Sequence, residues 1–152
     1  MRTMLVGAVM LLACLCGAAR ADEASAVNAV EKLGGKVTRD DKLPGKPVIG
    51  VNLGGLVPGK ATDAGLKELK DLKQLTSLDL NSAAVTDACM KELKDLKQLT
   101  TLHLAFTQVT DAGLKELEDL KQLTSLNLIG VKVTDDGVAA LRKALPGLKI
   151  GR

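Results

Sequence analysis

The chain has 152 residues, with 21 Lys and Arg, 18 Asp and Glu, a formal net charge of +3, one Phe and no Trp or Tyr. That length allows one domain with one continuous core. Lys alternates with Glu or Asp along the chain instead of clustering by sign, so a phosphate-tracking stripe and an aromatic base-stacking platform are both lacking, and nucleic acid is not an expected partner.

In chain order, Met1-Arg2-Thr3 is a short positive start, and Met4 to Cys16 is an apolar run interrupted only by Gly7. Ala19-Arg20-Ala21 then places small residues where a signal peptidase reads. The run of about 13 residues is shorter than the roughly 20 that a spanning helix needs, so the pattern is that of an export signal over residues 1–21 and not of a membrane span. A second route stays open, because Leu11-Leu12-Ala13-Cys14 resembles a bacterial lipobox, with Leu12 departing from the small residue usual there. Cleavage after Ala21 leads to a periplasmic, secreted or cell-surface protein, and acylation of Cys14 to a lipid-anchored one. Removing Arg2 and Arg20 takes the 21 basic residues to 19 against 18 acidic ones, so the mature chain is close to neutral. Of three Cys only Cys89 then remains, which rules out an internal disulfide or a multi-Cys metal site.

Residues 22–47 form an N-terminal unit. Ala26, Val27, Ala29, Val30 and Leu33 fall mostly on one side of a helix over 24–33, which Gly34-Gly35 ends. Lys36 to Pro47, with two Pro and a charge cluster, is expected to be an irregular connection.

From residue 48 to 152 a repeat dominates. Thr62-Asp63-Ala64-Gly65-Leu66 returns at Thr86, Thr110 and Thr134, always 24 residues on. Leu75, Leu78 and Leu80 are answered by Leu99, Leu102 and Leu104, then by Leu123, Leu126 and Leu128. Val48, Val51 and Leu53 fit the frame with three residues inserted around Val57-Pro58-Gly59. Leu145, Leu148 and Ile150 fit it with two removed. Five strands with four intervening helices are therefore expected. The alternation within each strand sends Leu inward and the residue between outward. Thr-Asp opens each helix, Thr as the cap and Asp in the positive first turn. Leu66, Leu69 and Leu72 lie along one helical face. One repeat cannot bury its apolar side alone, so stacking must join the rows into one core.

These residues, from Ile49 to Leu148, resemble the bacterial leucine-rich-repeat class whose unit reads Leu-x-x-Leu-x-Leu-x-x-Thr-x-Val-Thr-Asp-Ala-Gly-Leu-Lys-x-Leu, as in small exported repeat proteins of planctomycete-type bacteria. The resemblance implies an α/β fold, a short solenoid with parallel strands on the concave face and helices on the convex face, and protein–protein interaction as its role. It implies no reaction and no cofactor. The ninth position of the unit holds Ala83, Thr107 and Val131, of which only Thr107 can hydrogen-bond the turn, so no polar ladder is expected there.

Strand alternation displays Asn52, Ser77, Asp79, Thr101, His103, Ser125, Asn127 and Lys149 on the concave sheet, with Asn52, Asp79, His103, Asn127 and Lys149 as one row. Ala105 and Ile129 also face outward, and Phe106 lies just beyond the third strand. These nine polar and aromatic candidates are expected to meet a protein or peptide of the envelope or extracellular space, with the chain acting as a monomer. The displayed residue differs between adjacent repeats, whereas Lys67-Glu68, Lys91-Glu92 and Lys115-Glu116 give the helical face one repeated pattern. An enzyme is not expected: Ser77 lies diagonally, about 8 Å from His103 by sheet spacing, beyond hydrogen-bond reach. A metal site is not expected either, since His103 has only Asp79 as an ionised neighbour. A structural or surface-display role in the cell envelope is the alternative.

Overall fold

A computed structural model describes residues 22–55 and 62–152. The export leader read over residues 1–21, Cys14 included, and the insertion around Val57-Pro58-Gly59 lie outside the described residues.

The first element of the described residues is a helix, α1, over 22–32. Ala26 and Val30 on its inner face are buried against the first strands, with Val27 and Leu33 packed beside them. It stops where the Gly pair was expected to stop it. Gly34 takes φ +88°, and the amides of Gly34 and Gly35 donate to the carbonyls of Glu31 and Val30 at 2.9 Å each, a Schellman closure.

Strand β1 (Lys36–Arg39) follows and pairs antiparallel with β2 (Val48–Asn52). This corrects the expectation of an irregular connection from Lys36 to Pro47. Lys-Val-Thr-Arg carries one apolar residue and too little alternation to read as a strand. The exposed amides of β2 supply the pairing partner, and the irregular part shrinks to 40–47, where Gly45 and Lys46 have φ +86° and +47°. Glu23 in α1 binds the hairpin from beside, accepting from Arg39 Nη1 at 2.7 Å.

The remaining strands are parallel: β3 (Ser77–Asp79), β4 (Thr101–His103), β5 (Ser125–Asn127) and β6 (Lys149–Gly151). They make one sheet in the order β1-β2-β3-β4-β5-β6. Between them run a 3-10 helix (Asp63–Asp71) and the short helices α2 (Asp87–Leu93), α3 (Asp111–Glu116) and α4 (Asp135–Ala144). Thr86, Thr110 and Thr134 cap the three α-helices by accepting a backbone amide, whereas Thr62 makes no such bond and its repeat stays 3-10. Three residues per 3-10 turn put Leu66, Leu69 and Leu72 on one line, and all three are buried.

The core is a set of rows with one member per repeat. Leu78, Leu102 and Leu126 form one; Leu80, Leu104 and Leu128 the next; Leu66, Met90, Leu114 and Val138 the helical one. All of these are at most 3% exposed. Burial of these rows is the main stabilising term of a stacked repeat fold.

Candidate interaction surface

Two outward rows run across the sheet. One is Gly50, Ser77, Thr101, Ser125 and Lys149; the other is Asn52, Asp79, His103, Asn127 and Gly151. Lys149 therefore stands beside Ser125 and not beside Asn127. The expected register failed because Leu148 does not continue the Leu126 row. Its amide closes a turn onto the Leu145 carbonyl at 3.1 Å, as Leu123 does onto Leu120 at 2.9 Å, and Ile150 takes the place next to Leu126. Seven of the nine candidate side chains, from Asn52 to Asn127, thus share the face as expected, Lys149 shares it one row over, and Phe106 flanks it. Ala105 is buried and is not displayed.

The second row is tied into the backbone. Asn52 Oδ1 accepts from Gly54 N at 3.1 Å, Asp79 Oδ1 from Asn81 N at 3.0 Å, and Asn127 Oδ1 from Ile129 N at 3.1 Å. Each side chain closes an Asx turn that ends its strand, a role local to two residues and legible in principle from Asn or Asp at that phase. His103 Nδ1 lies 4.0 Å from Asp79 Oδ2, outside hydrogen-bond reach. Ser77 is in register with Thr101, diagonal to His103.

Polar ladders also run through the stack, at positions other than the ninth of the unit. Thr76 Oγ1 donates to the Ile49 carbonyl at 2.9 Å, Thr100 Oγ1 to that of Thr76 at 2.9 Å, and Thr124 Oγ1 to that of Thr100 at 3.1 Å. On the helical side, Asp63 accepts from Thr86 N and Oγ1 at 2.9 and 2.6 Å, Asp87 from Thr110 at 2.8 and 2.7 Å, and Asp111 from Thr134 at 2.9 and 2.8 Å. Asp135, next in this series, pairs with Arg152. The two Thr134 hydrogen bonds, backbone first, hold the Asp111 carboxyl below its usual range, with Lys115 and Arg152 adding to the effect. The Thr-Asp pair thus caps its own helix with Thr and clamps the next repeat with Asp, and only the first role was anticipated. At the ninth position Thr107 is buried and donates to the Leu104 carbonyl at 2.7 Å, as its type allows.

In the third and fourth repeats glycine leaves the space that this clamp occupies. A Cβ on Gly113 would collide with the Asp87 carboxylate and lie 2.7 Å from Val109 Cγ1; one on Gly137 would collide with Asp111. The equivalent residue in the second repeat is Cys89, fully buried, its thiol pushed up to about 12 by burial first and by Asp63 and Glu92 next.

At the strand exits each repeat makes a left-handed turn, at Ser82 (φ +60°), Phe106 (φ +59°) and Gly130 (φ +70°). Phe106 is the anomaly. A residue with a Cβ loses roughly 1–2 kcal/mol there relative to right-handed backbone, yet Phe106 is 65% exposed and its ring lies over Gly130, where a Cβ would be 2.5 Å from Cδ1. Phe106 N donates to the Ile129 carbonyl at 2.8 Å, bringing together two of the exposed large apolar residues, since Ile129 is 45% exposed. Thr107, Gln108, Thr110 and Lys132 line the groove beside the ring.

No helix among the described residues is long and apolar enough to cross a membrane. Residues 97–117 match the family described as Leucine Rich repeat. In three dimensions the chain is similar to a leucine-rich-repeat protein of Leptospira interrogans, with 32% identity and a TM-score of 0.46 over 57% of this chain and 21% of the other. It is also similar to an internalin of Listeria monocytogenes, with 28% identity and a TM-score of 0.46 over 55% of this chain and 34% of the other. The leucine-rich-repeat ectodomain of an Arabidopsis thaliana receptor kinase is 13% identical at a TM-score of 0.46, covering 86% and 91%. This chain thus spans a fifth to a third of the two bacterial proteins. No curated protein matches its sequence. The strand ladders, the Leu rows and the matched repeat carry the fold assignment, rather than these likenesses.

Proposed function

We propose that this leucine-rich-repeat solenoid is an exported interaction module that binds a protein or peptide on its open sheet face and at the adjoining Phe106 corner. Phe106 carries the reading. An exposed aromatic in left-handed backbone, where the next repeat has Gly, costs stability and supplies a large apolar contact, the kind of residue that dominates binding energy. The sheet face supports it, since its outward residues differ between adjacent repeats while the Lys-Glu pair recurs in the first three helices and gives way only in the fourth, to Ala139-Ala140. We read residues 1–21 as a removable export leader, 22–47 as the cap and 48–152 as the binding solenoid, working as a monomer in the periplasm, at the surface or outside the cell. Binding is the whole activity in this reading, without catalysis or a cofactor.

The test combines stability with binding. Phe106→Gly relieves the left-handed strain but gains unfolded-state entropy, so stability should stay within about 1 kcal/mol of the parent. Affinity for a partner captured from the native envelope, expected near micromolar because one aromatic is the single large anchor, should fall about tenfold or more. Asn127→Arg and His103→Glu should also weaken binding, and Lys91→Glu on the helical face should not. If Lys91→Glu abolishes binding while the sheet-face variants keep it, the face is wrong. Intact mass of the native protein tests export: a start at Asp22 fits, a retained Met1 refutes it, and a lipid mass on Cys14 makes it an anchored protein.

One observation favours a second reading, a spacer or display element of the envelope. Asn52, Asp79 and Asn127 already serve Asx turns, so part of the displayed polarity is structural. Under that reading Phe106→Gly, Asn127→Arg and His103→Glu leave every association unchanged.

A further inference from the structure

We infer that Cys89 is a wedge that holds the first helix of the stack in its 3-10 form, so that one side chain of the second repeat sets the backbone conformation of the first. The inference is independent of the reading of the sheet face.

The 3-10 helix reads Asp-Ala-Gly-Leu-Lys-Glu-Leu-Lys-Asp. Residues 87–95 differ from it only in having Cys89 and Met90 for the Gly and Leu, and residues 111–119 only in having Glu118 for the second Lys. Yet the first segment is 3-10 over all nine residues, while α2 and α3 are α-helical. Runs of 3-10 longer than about four residues are uncommon. Intrinsic propensity is nearly the same in the three segments, so the difference comes from what packs against them. The missing Thr62 cap bond does not account for it, because a side-chain cap acts on the first turn and the 3-10 form runs on to Asp71.

Each helix packs against the one that follows. α2 and α3 place Asp87 and Asp111 over Gly113 and Gly137, where a Cβ would collide with the carboxylate; on Gly137 it would lie 2.6 Å from Asp111 Cγ. The first helix meets Cys89 at the same position, with its Cβ and thiol present and fully buried. Asp63 nevertheless keeps both bonds to Thr86, at 2.9 and 2.6 Å, and stands near enough to help raise the pKa of the thiol. With the carboxylate held by Thr86 and the adjoining space filled by Cys89, room must come from the backbone that carries Asp63. The 3-10 form is that adjustment, and it begins at Asp63. At about 2.0 Å per residue its nine residues span about 18 Å, against about 13.5 Å for the same residues as an α-helix. The core does not oppose it, since Leu66, Leu69 and Leu72 recur every third residue and stay buried.

The experiment compares nuclear Overhauser contacts in the isotope-labelled full chain and in Cys89→Gly, Cys89→Ala and Gly113→Ala. Contacts from Hα of residue i to the amide of i+2 mark a 3-10 helix, and those to i+4 an α-helix. The parent and Cys89→Ala, which keeps the Cβ, should show the i+2 contacts across 63–71. Cys89→Gly should lose them and gain those to i+4, with α3 unchanged. Gly113→Ala puts the wedge one repeat later, so α2 should gain i+2 contacts. An i+4 pattern over 63–71 in the parent, a 3-10 segment that persists in Cys89→Gly, or conversion in Cys89→Ala as well would overturn the inference. So would an α2 in Gly113→Ala that keeps only its i+4 contacts.

Discussion

Leu102→Ala tests the stacking argument most directly. Leu102 is fully buried at the centre of β4, with Leu78 on one side and Leu126 on the other in register. Losing three carbons forfeits about 2.4 kcal/mol at roughly 0.8 kcal/mol per methylene. The neighbours cannot close the gap, because the strands are held apart by ladder bonds such as Leu80 N to the His103 carbonyl and Leu104 N to the Asn127 carbonyl, both 2.9 Å. A cavity of roughly 70 Å³ left open adds about 1.7 kcal/mol at 24 cal/mol per Å³, for a total near 4 kcal/mol. Urea unfolding followed by far-ultraviolet circular dichroism is the assay, since the chain has no Trp or Tyr to report by fluorescence. Ile150→Ala is the comparison: Ile150 is only partly buried and has one strand neighbour among the described residues, so about 1–2 kcal/mol is expected. A loss under about 1 kcal/mol for Leu102→Ala, or an equal loss for Ile150→Ala, would refute the reasoning.

The other predictions concern the clamp and the thiol. Because the folded Asp111 carboxyl is held below its ordinary value of 3.8, its contribution is complete above that pH and is lost as pH falls through the lower folded value. Urea midpoints at pH 6 and below pH 4 should therefore diverge less for Asp111→Asn than for the parent, and an unchanged divergence would dismiss this carboxyl as the cause. Gly137→Ala should destabilise by about 1–3 kcal/mol despite the better helix propensity of Ala, through its collision with Asp111. Gly147→Ala, with nothing within 4 Å, should be close to neutral in the same melts, and the reverse order would discredit the packing role of the glycine. Cys89, with its thiol pushed up to about 12, should ignore a disulfide reagent at neutral pH until urea unfolds the chain, and Cys89→Ser should still fold. Labelling of the native protein at the rate of a free thiol would contradict its burial.

What the residues alone determine here is what repeats. A 24-residue period with Leu at strand phase allows one way to bury every apolar side, by stacking, and so the core rows, the short helices, the Gly-Gly stop of α1 and the shared outward face of Ser77 to Asn127 all follow from local pattern. Tertiary structure decided what depends on partners distant in sequence. Lys36–Arg39 becomes a strand because β2 has an edge to cover, and Lys149 leaves the Asn127 row because the Leu148 turn closes as Leu123 does. The Asp of the first three Thr-Asp pairs is committed to the following repeat, 23 residues on, a use that its helix-opening position hides. Phe106 belongs to the same category. Its type was visible, but the left-handed turn under it and the place of its ring over Gly130 arise only when neighbouring strands are in place, because exposure and strain are properties of packing and not of a residue.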